Sequence, residues 1–300
     1  MPNNNPSTSI RKASTVILVR ESRHSFEVYL LKRHVKSGFM AGYHVFPGGT
    51  LDPEDTNVKT WTPYIDLSID QVQQQLGDEN FSNEEALGFG VAAIRETLEE
   101  CGVLLATGKS RSSQDYERMA FQRLEKGLPK AWFQDRIITE NWSLSFSHLY
   151  RWSHWITPEQ MKTRYDTRFF ITRMPPGQAC TPDERETHHG LWLTPQSALE
   201  QNLDETIALS PPTLTTLTQL TKFETFAALF EKLPDQCWGE ALTPHVLTTS
   251  DGPVILEPWD PLYGSDAAMN IQSPSKKVLA AGKWFSRIWR DGNIWKPIST

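Results

Sequence analysis

Apolar positions along the chain follow two periodicities, which predict strands interleaved with helices. Short apolar runs rich in β-branched and aromatic residues, bounded by polar turns, are typical of strands. Such runs cover residues 14–20, 26–33, 103–106, 146–156, 168–173 and 188–193. Apolar positions at helical spacing predict helices at residues 83–101, 116–126, 132–138 and 195–201. This order favours an α/β (α+β) fold, with an α/β/α sandwich around a mixed sheet.

Beyond residue 202 the pattern changes. Residues 211–233 carry the apolar face of one helix, and polar turns at 250–252 and 290–293 predict two hairpins. The first twelve residues are polar and rich in Pro, Asn and Ser, which is typical of a flexible arm. We therefore expect an arm at 1–12, a core domain at 13–201 with an inserted segment at about 56–83, and a mostly helical appendage at 202–300. The appendage is expected to pack on the core domain and to form one wall of its pocket.

Three glutamates stand at the end of the predicted helix at 83–101. At about 100° per residue, Glu96, Glu99 and Glu100 gather on one side and point outward, opposite the apolar face. Like charges at i, i+4 repel, and negative charge opposes the helix dipole at a C-terminus. A divalent cation would offset this cost, and carboxylate oxygens suit Mg²⁺ or Mn²⁺. On the glutamates alone, a solvated face with an Arg95–Glu99 ion pair is the better interpretation.

A glycine-rich stretch upstream changes that interpretation. Residues 46–49 read Phe-Pro-Gly-Gly and precede an acidic stretch, and residues 95–103 read Arg-Glu-Thr-Leu-Glu-Glu-Cys-Gly-Val. Together they resemble the signature of the Nudix hydrolases, the Nudix box. In this resemblance Gly49 is the first glycine, Asp55 stands in place of the first glutamate, and Thr97 occupies an apolar position.

The two halves of the box are far apart in this chain. Residues 56–94 separate them, whereas the family signature has only seven residues there. The inserted segment is polar, and we expect a loop in its first part and a short helix near residues 71–75. Ser82 and Glu85 form a capping-box pattern that begins the main helix, and Gly102 is placed to end it.

The resemblance implies roles for five residues. Glu96, Glu99 and Glu100 occupy the positions of the family's metal ligands and are expected to hold Mg²⁺ or Mn²⁺. Such a cation neutralises phosphoryl oxygens and lowers the pKa of bound water. Arg95 is expected to orient a glutamate and is placed, with Glu99 and Glu100, in the catalytic set. Glu186 joins that set as a general base because it lies where a loop acid precedes a strand; a solvent-exposed loop glutamate is an equally good interpretation.

A second motif indicates the substrate. Residues 30–33 (Leu-Leu-Lys-Arg) and Gly42 resemble part of a coenzyme A signature that precedes some Nudix boxes. Arg33 matches its first arginine, whereas Gly38 stands where a second arginine is expected. The predicted substrate-binding residues are Arg33, Gly42, Phe46, Gly48 and Gly49.

Over residues 13–260 the chain is similar to the peroxisomal coenzyme A diphosphatase branch of the Nudix hydrolases. The long inserted segment and the stretches at 155–158, 165–170 and 247–252 carry this likeness. It implies hydrolysis of coenzyme A or acyl-CoA to 4′-phosphopantetheine and adenosine 3′,5′-bisphosphate. Two alternatives stay open: a pyrophosphatase of ADP-ribose, NADH or another nucleoside diphosphate derivative, and a non-catalytic Nudix-like regulator that binds a nucleotide. The regulator ranks last, because such domains usually lose box carboxylates.

Composition narrows the setting. A formal net charge of −6 and a pI near 5.8 argue against a nucleic-acid groove, and no apolar run has membrane-spanning length. Three cysteines without a CxxC motif fit reduced thiols. The last four residues differ from an SKL-type peroxisomal signal. We therefore expect a cytoplasmic enzyme, as in a bacterium, whose partner is a small nucleoside diphosphate substrate, with a homodimer as one candidate oligomeric state.

Overall fold

The computed structural model describes residues 10–23, 25–35, 40–78, 81–183, 185–265 and 277–300. The strands are β1 (Arg11–Ser22), β2 (Ser25–Arg33), β3 (His44–Val45), β4 (Gly48–Thr50), β5 (Ala106–Thr107), β6 (Ser143–Leu144), β7 (Tyr150–Ile156), β8 (Tyr165–Arg173), β9 (Thr187–Leu193), β10 (His245–Thr249), β11 (Gly252–Leu256), β12 (Arg287–Asp291) and β13 (Ile294–Ile298). The helices are α1 (Val58–Trp61), α2 (Ile69–Leu76), α3 (Asn83–Cys101), α4 (Ser113–Gln122), α5 (Trp132–Thr139), α6 (Pro195–Leu203), α7 (Pro211–Leu220) and α8 (Phe226–Lys232).

A mixed sheet forms the centre of the molecule, which confirms the predicted fold class. Its strands follow the order β3-β2-β1-β8-β7, with β1 parallel to β8 and antiparallel to β2. Successive residues of β1 point to opposite faces. Val16 and Leu18 pack in the cluster that contains α3, while Ile17 and Val19 pack in the cluster that contains α6, α7 and α8. Because both faces are covered, the strand is a continuous apolar run.

Helix α3 has the bounds that the sequence predicts. Ser82 Oγ accepts from Glu85 N at 3.2 Å, and Ser82 N donates to the Glu85 carboxylate at 3.0 Å, which completes the capping box. Gly102 ends the helix in the left-handed region at φ 72°. These ends place the three glutamates in the last two turns.

The inserted segment is more ordered than predicted, and the expected loop in its first part is wrong. A 3-10 turn (Pro53–Thr56) leads into α1, where Trp61 is buried and its Nε1 donates to Glu54 O at 2.9 Å. Ser68 caps α2, whose Val72 and Leu76 join the core around α3. The apolar residues of the segment are few but regularly spaced, so each short helix buries one side.

Three other predicted elements are corrected. Of the strand predicted at 103–106, only Ala106 lies in a strand, the two-residue β5, and residues 146–148 form a 3-10 turn before β7. The helix expected at 211–233 breaks into α7 and α8, because Thr225 caps a new helix by accepting from Ala228 N.

Backbone pairing also differs from the prediction at two places near the N-terminus. Residues 48–50 form the short strand β4 against β1, although the sequence predicts no strand there. Strand β1 begins at Arg11, inside the predicted arm; residues 1–9 lie outside the described ranges.

Both predicted C-terminal hairpins are confirmed and join in one antiparallel sheet, β10-β11-β12-β13. This second sheet shares a core with the central sheet, since Ile255, Ile288 and Trp295 pack in the cluster that holds α6 to α8. Asn202 Nδ2 donates to Trp295 O at 2.9 Å and joins α6 to β13. The domain boundary at residue 201 stays a prediction. None of the helices in the described ranges combines the length and apolar character needed to cross a bilayer.

Candidate active site

Strand β4 crosses the end of α3 so closely that two positions have no room for a side chain. A Cβ on Gly49 would overlap the carboxylate of Glu96, and a Cβ on Gly48 would overlap the backbone of Ser14 and Thr15. Glycine permits this approach. The sequence Phe-Pro-Gly-Gly therefore places backbone directly against the acidic end of the helix.

The buried guanidinium of Arg95 donates hydrogen bonds to three of the carboxylates at this helix end. Its Nε and Nη2 donate to the two oxygens of Asp55 at 3.2 and 2.9 Å, and Nη2 also donates to Thr50 O at 2.8 Å. Its Nη1 donates to Glu96 Oε1 at 2.8 Å and to Glu99 Oε2 at 3.0 Å. This buried guanidinium thus joins both halves of the box and orients two of the three glutamates.

Asp55 is the partner of Arg95. Only 1% of the residue is exposed, and both carboxylate oxygens face the guanidinium. Asp52, also in the acidic stretch, lies 4.0 Å from Arg95 with 44% of its side chain exposed. A bidentate pair of this kind fixes the 3-10 turn Pro53–Thr56, which follows β4, relative to α3.

The three glutamates differ in exposure, so the expectation that all of them point outward is corrected. The side chain of Glu99 is 41% exposed and that of Glu96 is 14% exposed, while Glu100 is buried and accepts from Gly48 N at 2.8 Å. Strand β4 covers the side of α3 that lies opposite the apolar face, because the backbone of Gly48 and Gly49 packs against that side of the helix.

Burial of negative charge is costly here. Burial, the charge of Glu99 and the charge of Glu186 outweigh Arg95 and raise the pKa of Glu96 to about 7. Burial and then the charge of Glu96 raise the pKa of Glu100 well above its ordinary value. A cation among these groups would relieve both the desolvation and the repulsion.

The donor chemistry fits a hard divalent cation. Carboxylate oxygens from one helix end, next to a backbone that approaches without side chains, are the ligands that such ions prefer. Within the described residues, no three carboxylate, imidazole or thiol groups already converge as a ligand set. Arg95 Nη1 lies between Glu96 and Glu99 and bonds to both.

The acidic helix end opens into a cavity of about 670 Å³. One wall belongs to the first 200 residues of the chain and includes Arg11, Arg33, Phe46, Gly48, Gly49, Glu96, Glu99, Trp155 and Glu186. The other wall belongs to the C-terminal part and consists of Ser210, Pro211, Pro212, Thr213, Pro244, Val246, Pro253, Ile255, Arg290 and Trp295. The appendage therefore forms a wall of the pocket, as predicted.

Three of the predicted site residues do not line this cavity. Arg95 and Glu100 lie beneath its surface. Gly42 forms a turn at φ 78°, from which its N donates to Arg33 O at 3.2 Å, so it supports Arg33. Gly38, the position of the missing arginine, lies outside the described residues.

Glu186 reaches the cavity from the loop before β9. Its N is held by the Asp183 carboxylate at 3.2 Å, and its O accepts from His34 N at 2.9 Å. Its charge is one of those that raise the pKa values of Glu96 and Glu100. The structure therefore brings this loop glutamate to the rim of the acidic site.

The C-terminal contributors were missed as individual residues. The sequence places Arg290 in a predicted hairpin turn and Trp295 just after it, with no sign that either lines a cavity. The predicted hairpins establish which residues share a face, but the face that meets the cavity depends on how the second sheet packs.

Comparison with known proteins agrees with this geometry. The profile of the family described as NUDT19 Nudix domain matches residues 10–220. The chain is 30% identical to the acyl-coenzyme A diphosphatase NUDT19 of Homo sapiens, over 88% of this chain and 80% of that protein. It is 29% identical to the protein of the same name from Xenopus laevis, over 80% of this chain and 72% of that protein.

A solved structure supports the fold. The crystal structure of a Nudix hydrolase from Alicyclobacillus acidocaldarius is 21% identical, with a TM-score of 0.59 over 76% of this chain and 98% of that chain. Divalent metal ions are general in this superfamily. The close approach of β4 to α3 and the hydrogen bonds by which Arg95 joins the two halves of the box agree with the family match. The chain therefore belongs to the family of the NUDT19 Nudix domain and is a Nudix hydrolase, an enzyme that hydrolyses diphosphate bonds.

Proposed function

We propose that this enzyme hydrolyses the diphosphate bond of coenzyme A or acyl-CoA, giving 4′-phosphopantetheine or its acyl form and adenosine 3′,5′-bisphosphate. The observation that carries the proposal is the cavity of about 670 Å³, in which Glu96 and Glu99 share the lining with mostly apolar residues and a few arginines. A diphosphate fits the acidic end through a cation, and an apolar thioester arm fits the remainder. The relatives named acyl-coenzyme A diphosphatase agree with this assignment.

Glu96, Glu99 and Glu100 are the residues that would hold the cation, Mg²⁺ or Mn²⁺. When bound, the ion supplies charge neutralisation at the phosphoryl oxygens and a more acidic water. Glu99 is the most accessible of the three, and Glu96 lines the same cavity. Arg95 would release one of these carboxylates to the ion and keep the other oriented.

Arg95 and Asp55 act as positioning residues. Their bidentate pair holds the 3-10 turn after β4 against α3, and Arg95 also binds Thr50 O of β4. These bonds position the Gly48–Gly49 backbone relative to the acids. Gly48 N already holds Glu100. Main-chain groups of this stretch and Arg33 are placed to bind substrate phosphates, and Phe46 contributes apolar wall.

Glu186 is the proposed general base. It is an exposed carboxylate on the cavity rim, close enough to Glu96 and Glu100 for its charge to act on both. In this role it takes a proton from the attacking water. A cytoplasmic setting and a homodimer stay predictions from the sequence.

The proposal is tested with a substrate screen. Coenzyme A, acyl-CoA, ADP-ribose and NADH are incubated with Mg²⁺, Mn²⁺ or a chelator, and products are identified by mass. The expected result is metal-dependent release of adenosine 3′,5′-bisphosphate from coenzyme A or acyl-CoA. Preference for ADP-ribose or NADH over every thioester would instead support the alternative pyrophosphatase. Binding without turnover would support the regulator.

A further inference from the structure

The C-terminal sheet presents one nearly apolar face to the cavity. Arg290 pairs with Trp295 across β12 and β13, and Val246 pairs with Ile255 across β10 and β11. These four residues all line the cavity, together with Pro253. Within the described lining from residue 202 onward, Arg290 is the only charged side chain.

Arg290 is held in place without a counter-charge. Its Nη2 donates to Asn293 Oδ1 at 2.9 Å, and its guanidinium lies 5.9 Å from the centroid of the Trp295 ring. Its buried Nε makes no hydrogen bond of good geometry, and the Tyr43 hydroxyl is a polar neighbour of the guanidinium. Among the described residues, no carboxylate lies within ion-pair distance of this guanidinium.

Neighbouring cations of the same sheet are paired. Arg287, on the same strand, donates from Nε and Nη2 to Asp260 at 2.7 and 3.0 Å. Lys296, on β13, bonds to Glu205 at 2.8 Å and to Asp291 at 2.9 Å. Arg287 and Lys296 therefore each have an acidic partner, whereas Arg290, which faces the cavity, has none among the described residues.

An arginine that is partly desolvated, oriented and without a counter-charge, beside a phosphate-cleaving site, is suited to bind an anion. Its planar donors match a phosphate group, and such a partner would compensate the desolvated charge. The scissile diphosphate belongs with Glu96 and Glu99 on the opposite wall. Arg290 lines the same cavity and is available to a second anionic group of the substrate.

We infer that Arg290 binds a phosphate monoester of the substrate that is separate from the scissile diphosphate, and so selects nucleotides phosphorylated on the ribose. This inference rests on the proposed function, because coenzyme A carries a 3′-phosphate of that kind. Arg290 is then a specificity-determining residue supplied by the appendage. One arginine on an apolar wall recognises one such group.

Binding of two product-like ligands tests the inference. Adenosine 3′,5′-bisphosphate and AMP differ only in the 3′-phosphate, and neither contains a diphosphate bond, so turnover does not interfere. Their affinities are measured by calorimetry with the full chain in Mg²⁺ buffer, for wild type, Arg290→Gln, Arg290→Lys and Lys296→Gln. The last variant removes the same unit charge from the adjacent strand but does not line the cavity.

Wild type is expected to bind the bisphosphate about 10- to 100-fold more tightly than AMP, as a charge-assisted pair provides. Arg290→Gln should reduce that ratio to within about 3-fold, and Arg290→Lys should retain part of it because its charge remains. Lys296→Gln should keep the wild-type ratio. Thermal unfolding of each variant checks that it is folded.

Two results would overturn the inference: no preference in wild type, or an unchanged ratio in Arg290→Gln, whether both affinities stay at their wild-type values or fall equally. Equal loss would place Arg290 on the shared 5′-phosphate. Hydrolysis of coenzyme A is measured separately on wild type. Absent hydrolysis with an Arg290-dependent ratio rejects the proposed reaction and leaves the phosphate site standing.

Discussion

The two walls of the cavity treat charge in opposite ways. On the wall of α3 and β4, acids are crowded and tied to Arg95, and Glu100 is capped by Gly48 N. On the wall of the C-terminal sheet the surface is apolar, and its one charge, Arg290, has no counter-ion among the described residues. The first wall is organised before a ligand arrives, and the second presents a charge that still needs a partner.

This difference separates two tasks. A site that activates water on a diphosphate requires carboxylates held in one geometry. A site that chooses among nucleotides requires an unpaired group that only the correct ligand satisfies. Damage to the first wall should therefore lower turnover of every substrate, and damage to the second should change only which substrate is preferred.

The largest effect is expected for Glu99→Gln. Loss of an exposed proposed ligand should lower kcat about 10³-fold, equivalent to about 4 kcal/mol of transition-state stabilisation, while the circular dichroism spectrum stays the same. Glu84→Gln, an exposed substitution in the first turn of the same helix, is the matched control and should keep wild-type activity. Normal turnover by Glu99→Gln would reject the proposed metal role of this wall.

Breaking the buried Arg95–Asp55 pair should mainly lower the stability of the protein. Asp55→Asn leaves the buried Arg95 short of a counter-charge and should lower the free energy of unfolding by about 3–5 kcal/mol in urea titrations. Asp52→Asn removes a carboxylate that is half exposed and 4.0 Å away, so it should cost less than about 1 kcal/mol. Equal costs for the two variants would contradict the assignment of Asp55 as the principal partner.

Glu257, a buried acid of the C-terminal part that is not proposed to bind a ligand, allows a test of how stability depends on pH. Glu257 is fully buried, Thr215 Oγ1 donates to it at 3.0 Å, and burial raises its pKa to about 8. Above pH 4.5 the unfolded chain ionises this group while the native chain keeps it protonated, so its contribution to stability falls as pH rises from about 4.5 to about 8.

Glu257→Gln removes this titration. We therefore compare the unfolding free energy of the variant with that of wild type at each pH. This difference should shift in favour of the variant by on the order of 3 kcal/mol between pH 4.5 and pH 7. Urea midpoints of both proteins at several pH values measure the difference, and other titrating groups cancel in it. A difference that does not vary with pH would show that Glu257 is ionised in the native state.

The smallest effect is expected at the glycine strand. Gly49→Ala places a methyl group against the Glu96 carboxylate and should lower activity about 10- to 100-fold by displacing it. Gly42→Ala also replaces a glycine, at φ 78° with open space around it, so it should cost about 1–2 kcal/mol of stability and leave kcat/KM nearly unchanged. Loss of kcat/KM in a folded Gly42→Ala protein would instead restore Gly42 as a substrate-binding residue.

Local chemistry made part of this structure predictable from sequence. The run at residues 16–19 predicted a strand buried on both faces, and the Ser82–Glu85 box with Gly102 predicted both ends of α3. The box motif likewise identified Glu96 and Glu99, which the structure brings to the cavity, and Glu100 beneath them. These features depend on neighbours within a few positions, where side-chain geometry and capping are decided.

What the sequence by itself determined is therefore the order of strands and helices, the ends of α3 and the set of acids at its C-terminus. Only tertiary packing decided that Asp55 reaches Arg95 across the inserted segment, that β4 covers Glu100, and that Arg290 faces the cavity. Each of these contacts joins residues about 40 or more positions apart, or depends on which face of a sheet is buried. Short-range patterns carry no information on such distances, because the contacts form only when whole elements pack together.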